Sequence, residues 1–377
     1  MGNQCDVCAI HPHLDLYGSD RVFITTVEAL SRAGLRTTVR VNPGADVATR
    51  IEGVNLECAR FPVLRRIEFT RLRILRTLAR LMLHSIRARR QLAGARVVYV
   101  NTVTCPSWLV AAWLSGCPAI CHVHECEPDW SRLRSKLLLM QLFFATRVVA
   151  NSSATREWIG HTWPSLLRRT QVIYNGIDDP LHGVVARGIA DPDELLVIGR
   201  LAHRKGQDVA IKALSVVRQT VPGARLTIVG DCFPGSETYV RNLSELAETL
   251  FDDSEAVTFI GWDEDVGRWM ERAGLVLIPS RVEPFGLVAV EAMIRGKVVI
   301  ASKIGGLREI ISHGSTGWLV ERNDPSALAE ACITLRLNCD LRNQMGRRAR
   351  ESAVSHFGAD RYRAEIADLC HEMMKRY

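Results

Sequence analysis

The sequence predicts an α/β protein built on two parallel sheets, and three observations carry that expectation. The first is length, because 377 residues are enough for two domains of ordinary size. The second is rhythm: short apolar strands alternate with helical stretches from Val7 onward. After a stretch rich in turn residues, Asp179 to Asp193, the same rhythm restarts at Leu195. The third is the segment Pro279 to Met293, where a strand end, a Pro/Gly turn and a helix start follow one another. A composition of 47% hydrophobic and 24% charged residues supplies apolar material for two cores.

In order, Val7 to Ile10 is the first expected strand, followed by a polar loop from His11 to Asp20. A helix from about Arg21 to Arg32 is next, with Ser19 or Asp20 as its cap, and then a strand at Thr37 to Val41. This is a βαβ unit, but no G-x-G-x-x-G accompanies it, so the dinucleotide fingerprint is absent. Gly18, just ahead of the helix, is a place where backbone could come close to a ligand. Strands are expected at Val97 to Val100, Ala119 to Val123 and Arg147 to Ala150, with a short helix at Trp108 to Leu114. Ala119 to Val123 runs into His122-Val123-His124-Glu125. Alternation sends His122 and His124 to one face, toward the crevice where open α/β sheets bind ligands.

In the second half, Leu195 to Ile198 is a strand and Gly199 to Gly206 a loop holding Arg200 and Lys205, where cations would meet phosphates. Asp191-Pro192-Asp193 has the form of a metal-binding D-x-D, but it is expected ahead of the strand, where it would hold no donor. Gly274 to Ile278 reads as a buried strand, and Leu287, Val290 and Met293 share one helical face. The intervening turn delivers free N–H groups at a helix N-terminus, which favours an anion. Glu283 stands before that turn and Glu291 two helical turns after it, both good acceptors for sugar hydroxyls. Residues 324–357 and the tail from Asp360 are helical.

Charge is unevenly spread: residues 1–180 carry a net +9 and the remainder −2. The segment Leu64 to Arg96 holds ten arginines against one acid, Glu68, with leucines at helical spacing. It reads either as a surface helix packing its apolar face on the sheet, or as a basic amphipathic helix resting on anionic lipid. Nucleic-acid binding is not expected, because no interleaved aromatics or recognition motif accompany the arginines. The odd number of cysteines, eleven, and an N-terminus without a basic lead or apolar run predict a cytoplasmic chain with reduced thiols. The Cys5-x-x-Cys8 pair has no second pair at zinc spacing, and no run of roughly 18 apolar residues could span a membrane.

The second half resembles the retaining GT-B glycosyltransferases of glycosyltransferase family 4. The resemblance rests on Gly199-Arg200-Leu201 with Lys205-Gly206, Gly261-Trp262, Pro279-Ser280 and Glu283-Pro284-Phe285-Gly286-Leu287 with Glu291-Ala292. It continues through Gly305-Gly306 with Glu309, and Thr316-Gly317. The first half matches more loosely, through Tyr17-Gly18-Ser19-Asp20-Arg21, His124-Glu125, Asn151-Ser152 and Asn175 to Asp178. The resemblance implies two Rossmann-like domains facing a cleft, 1–180 for the acceptor and 181–358 for a nucleotide-sugar donor. A final helix, 359–377, is expected to return to the first domain. It further implies that Arg200 and Lys205 meet the diphosphate, that Glu283 and the amides of Phe285, Gly286 and Leu287 meet the sugar, and that Glu291 meets the ribose. Gly18 then lies under the phosphates and His124 near the reacting centre.

The implied reaction is metal-independent transfer of a hexose with retention, needing no cofactor, to a hydroxyl of a glycan or lipid-linked saccharide in cell-surface polysaccharide or glycolipid assembly. Contact with the inner face of the plasma membrane would be peripheral, through residues 64–96. Tyr17 in place of a glycine, Lys297 in place of a proline and Gly274 in place of an aspartate depart from the family pattern. Two other readings remain: another GT-B enzyme such as an epimerase or phosphorylase, and an inactive GT-B scaffold.

Overall fold

The computed structural model describes residues 5–13, 18–43, 54–64, 71–181 and 191–376, for 71–75 the backbone alone. Tyr17, residues 65–70 of the arginine-rich segment and residues 182–190 of the expected linker lie outside the described residues. The chain divides into two compact units, Met1–Gly176 with Ala359–Tyr377, and Ile177–Gly358.

In the first unit the chain runs β1 (Cys5–Ile10), α1 (Gly18–Arg32), β2 (Thr37–Val41), β3 (Asn55–Cys58), α2 (Arg71–Gln91) and β4 (Ala95–Val100). It continues with α3 (Pro106–Ser115), β5 (Ala119–Val123), α4 (Arg132–Leu139), β6 (Arg147–Ala150), α5 (Ser153–Thr162) and β7 (Thr170–Val172). The seven strands pair in the order β3-β2-β1-β4-β5-β6-β7, all parallel. Strands such as Val97 to Val100 are apolar on both faces because helices cover both. α2, α3, α4 and α5 close one face over a core that includes Trp108, Leu109, Leu139 and Leu142.

The second unit runs β8 (Asp191–Ile198), α6 (Gln207–Thr220), β9 (Arg225–Val229), α7 (Glu237–Leu250), β10 (Val257–Gly261), α8 (Val266–Arg272) and β11 (Ala273–Ile278). Then follow α9 (Leu287–Ile294), β12 (Val299–Ser302), α10 (Leu307–Ile310), β13 (Trp318–Val320), α11 (Pro325–Leu337) and α12 (Cys339–Phe357). Its six strands are again parallel, in the order β10-β9-β8-β11-β12-β13. The last helix, α13 (Ala359–Arg376), belongs with the first unit, where it packs against α1 and buries Tyr362, Ile366 and Leu369.

Several sequence expectations are corrected. α1 begins at Gly18 instead of Arg21, and the Asp20 carboxylate is engaged by a histidine ring. Asp191 and Asp193 lie inside β8 instead of before it, paired with Arg225 and Arg336. The helix in the arginine-rich segment ends at Gln91, and Arg96 belongs to β4, near Asp6. The helical region 324–357 is two helices, broken at Asn338. The helices α4, α5 and α8 and the strands β3, β7 and β13 are too short to give a clear period, and the 14-residue, amphipathic α7 is a further element beyond the sequence expectations. Cys5 and Cys8 fall three residues apart on β1, hence on opposite faces of the strand. None of the eleven cysteines is in a disulfide, and burial pushes the Cys8 thiol up to about 12.

Candidate functional site

In the second unit three neighbouring strand ends supply one cluster. β8, β11 and β12 lie side by side, and the loops that leave them hold Arg200 and Lys205, Ser280 to Gly286, and Lys303 to Gly306. Their close approach depends on glycine at two places. A Cβ on Gly206, where φ is +71°, would lie 2.0 Å from the carbonyl oxygen of Pro279. A Cβ on Gly305 would lie 2.1 Å from the carbonyl oxygen of Glu283, the same oxygen that accepts from the Gly306 amide at 3.1 Å. Any side chain at either position would push the loops apart.

The closeness brings charges together. Lys205 Nζ donates to Glu283 Oε2 at 2.7 Å, and Ser280 Oγ donates to the same oxygen at 3.0 Å. Burial pushes the Lys205 ammonium below its ordinary value, against the opposing pull of Glu283. Burial also acts to raise the Glu283 carboxyl, but Lys205, Arg204 and the Ser280 hydroxyl together hold it below the usual range. The site therefore holds an ionised pair at neutral pH, largely out of water.

Arg200 lies with its guanidinium carbon 3.3 Å from the centre of the Phe233 ring, and its carbonyl accepts from Gln207 at 3.0 Å. Arg281 clamps Asp208 of α6 with two bonds of 2.7 Å and donates its backbone amide to the Arg204 carbonyl at 2.7 Å. This ties the 199–206 loop to the 279–286 loop. Gly286 precedes α9 with no side chain capping the helix, so the positive end of α9 opens beside Glu283. Phe285 and Glu291 are buried and Leu287 is half-buried. Sequence reasoning missed Ser280, Phe233 and the Arg281–Asp208 clamp. Their local signals are ordinary, and only the adjacency of β8 and β11 gives them roles.

In the first unit the residues that directly follow three adjacent strands form a second cluster. His11 follows β1, Asn101 follows β4 and His124 follows β5, and these strands are neighbours in the sheet. His124 Nε2 lies 3.1 Å from Asn101 Oδ1, Asn101 Nδ2 lies 3.2 Å from His11 Nδ1, and His11 Nε2 lies 2.8 Å from Asp20 Oδ1. Asn101 Nδ2 also donates to the Ser19 carbonyl at 3.2 Å, which fixes the direction of its amide. The chain therefore runs one way: His124 donates to Asn101, Asn101 to His11, and His11 to Asp20. Burial pushes His124 down to about 3, with His11 adding to the effect and Asp20 opposing it. The ring is a neutral tautomer with its proton on Nε2. Its ring centre lies 4.0 Å from that of His122 with the planes tilted by 37°, so the two rings do share a face as alternation requires.

Glu125, its carboxyl raised by burial, turns back to Thr102 and to the His124 amide. Gly18 opens α1, close to Ser19 and Asp20 of the same network. His11, Asn101 and Asp20 were not predicted as site residues; a polar residue after each strand was visible, but not the strand order. Among the described residues no group of three or more His, Cys, Asp or Glu could hold a metal ion.

Two family models match the chain: "Glycosyl transferases group 1" over residues 186–352 and "Glycosyltransferase Family 4" over residues 17–180. The N-acetyl-alpha-D-glucosaminyl L-malate synthase of Bacillus anthracis is 29% identical over 213 residues, 54% of this chain and 54% of that protein. The D-inositol 3-phosphate glycosyltransferase of Pseudarthrobacter chlorophenolicus is 34% identical over 217 residues, 54% of this chain and 51% of that one. The chain thus spans about half the length of the curated relatives it matches. Among solved structures, HepE of Anabaena in complex with UDP and glucose superposes with a TM-score of 0.82 at 24% identity, over 97% of this chain and 99% of that one. Sucrose-phosphate synthase of Thermosynechococcus elongatus gives 0.78 at 21% identity, over 99% and 100%. At these identities the likeness establishes the fold.

Proposed function

Because the chain belongs to the group 1 glycosyl transferases of glycosyltransferase family 4, with their GT-B fold, we propose that it moves a hexose from a UDP- or GDP-sugar to a hydroxyl acceptor with retention. The observation that carries this reading is the meeting of Lys205 and Glu283 beside the start of α9, with the Arg200 charge close enough to act on Lys205. Departure of the nucleoside diphosphate leaves negative charge on the leaving group and positive charge on the sugar. Lys205 and Arg200, with the α9 dipole, stabilise the first; the Glu283 carboxylate is the acceptor for sugar hydroxyls and for the developing positive charge. Phe285, Gly286 and Leu287 present backbone to the sugar, and Glu291 takes the ribose.

With two cations on the leaving group no metal or other cofactor is required. A fixed acceptor at His124 Nδ1 suits a sugar hydroxyl near the reacting carbon, with Gly18 allowing close approach of phosphate. The acceptor attacks from the side the leaving group vacates, a phosphate oxygen taking its proton. A uridine donor is favoured because the structural neighbour HepE has been crystallised with UDP and with UDP-glucose.

The acceptor is proposed to be a glycan or lipid-linked saccharide, with α2 lying on an anionic membrane and the protein working at the cytoplasmic face. No helix among the described residues is long and apolar enough to cross a bilayer. The decisive experiment is a thermal-shift panel of UDP, GDP, dTDP and ADP on the wild type and the Lys205→Ala and Glu291→Ala variants. One diphosphate should raise Tm, and Lys205→Ala should lose most of that rise. No shift with any nucleotide would favour the scaffold reading.

A further inference from the structure

α2, α3, α4 and the turn after α4 form one continuous layer over the first sheet. His84 of α2 lies 3.0 Å from Ser107 of α3, and Trp113 of α3 stacks edge-on against Phe144 of the Met140–Phe144 turn at 5.5 Å. At 3.6 residues per turn the buried Ser85 and Ala88 of α2 face the core, and Ala79, Met82, Leu83 and Ile86 lie on the opposite side. Met82, Leu83 and Ile86 are 54%, 51% and 54% exposed. The sequence stripe thus turns away from the sheet, because Trp108 and Leu109 of α3 already fill the space beneath.

α4 repeats the arrangement independently. Ser135 and Leu139 face the core, while Leu133 and Leu137, followed by Met140, face outward at 67%, 46% and 50% exposure. Trp113 is 61% exposed at the end of α3. Cations flank both stripes, with Arg76, Arg80, Arg87 and Arg90 on α2 and Arg132, Arg134 and Lys136 on α4. From Arg71 to His124 the chain contains no Asp or Glu.

Two stripes of exposed large apolar side chains, each opposite its own core face and each flanked by cations on a helix without a carboxylate, specify the occupant. A second copy of this face would set cations against cations with no carboxylate on either helix to pair them. An anionic bilayer satisfies both parts, its phosphates meeting the arginines and its acyl boundary taking the leucines and the tryptophan. We infer that α2, the end of α3, and α4 with its following turn form a single docking face that inserts its apolar side chains into an anionic membrane. This rests on the lipid-acceptor reading and deepens it: the contact is a three-helix plane, held by insertion as well as by charge.

The full chain is floated with vesicles of phosphatidylcholine alone and with about one-third phosphatidylglycerol. Binding is expected only to the anionic vesicles. The triple variant Leu133→Ser, Leu137→Ser, Met140→Ser is expected to bind about tenfold more weakly, with its far-UV spectrum and UDP shift unchanged. Brominated lipid should quench a component of the tryptophan fluorescence that disappears in Trp113→Phe. If Arg80→Glu with Arg87→Glu abolishes binding while the α4 variant binds as the wild type does, the three-helix face is overturned and α2 alone touches lipid. If no vesicle binds, the inference and the lipid reading fall together, and the nucleotide panel still judges transferase activity by itself.

Discussion

His124 shows how a strand end converts burial into chemistry at the scale of one residue. Its ring is held near pKa 3 by burial, whereas an unfolded chain protonates histidine near 6.5. Between those values the unfolded state binds more protons than the folded one, so stability falls as pH is lowered through that window. The slope is about 1.4 kcal/mol per pH unit for one such group, and His122, pushed down in the same direction, adds to it. A Tm profile from pH 7 to 4 should be shallower for His124→Gln than for the wild type; parallel profiles would refute the assignment. Lys205 offers a second test. Lys205→Ala leaves the largely buried Glu283 carboxylate without its ion-pair partner, with the Ser280 hydroxyl and the Arg204 charge remaining, and should lower stability by about 1–3 kcal/mol in urea titration. Both residues were legible in the sequence as candidates. Their states were not, because ionisation depends on neighbours that lie 78 residues away for Lys205 and 23 for His124.

At the scale of elements, the candidate donor site is a matter of how tightly three loops pack. Gly206→Ala would place a methyl group on the Pro279 carbonyl in a backbone region that alanine avoids. The expected cost is about 1–3 kcal/mol, with loss of the UDP-induced shift because Lys205 no longer reaches Glu283. Calorimetry with and without UDP checks both halves of this expectation. The turn at Pro284 to Gly286 and the helix after it were readable because Pro and Gly act locally. The docking face was only half readable. Helical spacing revealed a stripe on α2, but periodicity names a face without saying what it faces, and α3 had already taken the core side.

For the whole molecule, the chain leaves the first unit after Gly176 and returns at Ala359. The returning α13 is integral to the first unit: Tyr362 is fully buried, hydrogen-bonded to Thr26 of α1. Tyr362→Ala should destabilise that unit by about 3–5 kcal/mol, visible as an earlier transition in calorimetry, whereas a variant with unchanged Tm would mean α13 is dispensable.

The sequence by itself determined the class, the two halves and most of the long elements, and it singled out Lys205 and Glu283, which the structure brings together, because these are written in local periodicity, turn residues and motif spacing. Only the tertiary structure decided which strand ends are neighbours. In a parallel sheet that adjacency follows from the crossovers and bears no relation to distance along the chain. It is why His11, Asn101 and His124 converge across separations of 90 and 23 residues, and why an apolar stripe that could have built a core faces outward instead.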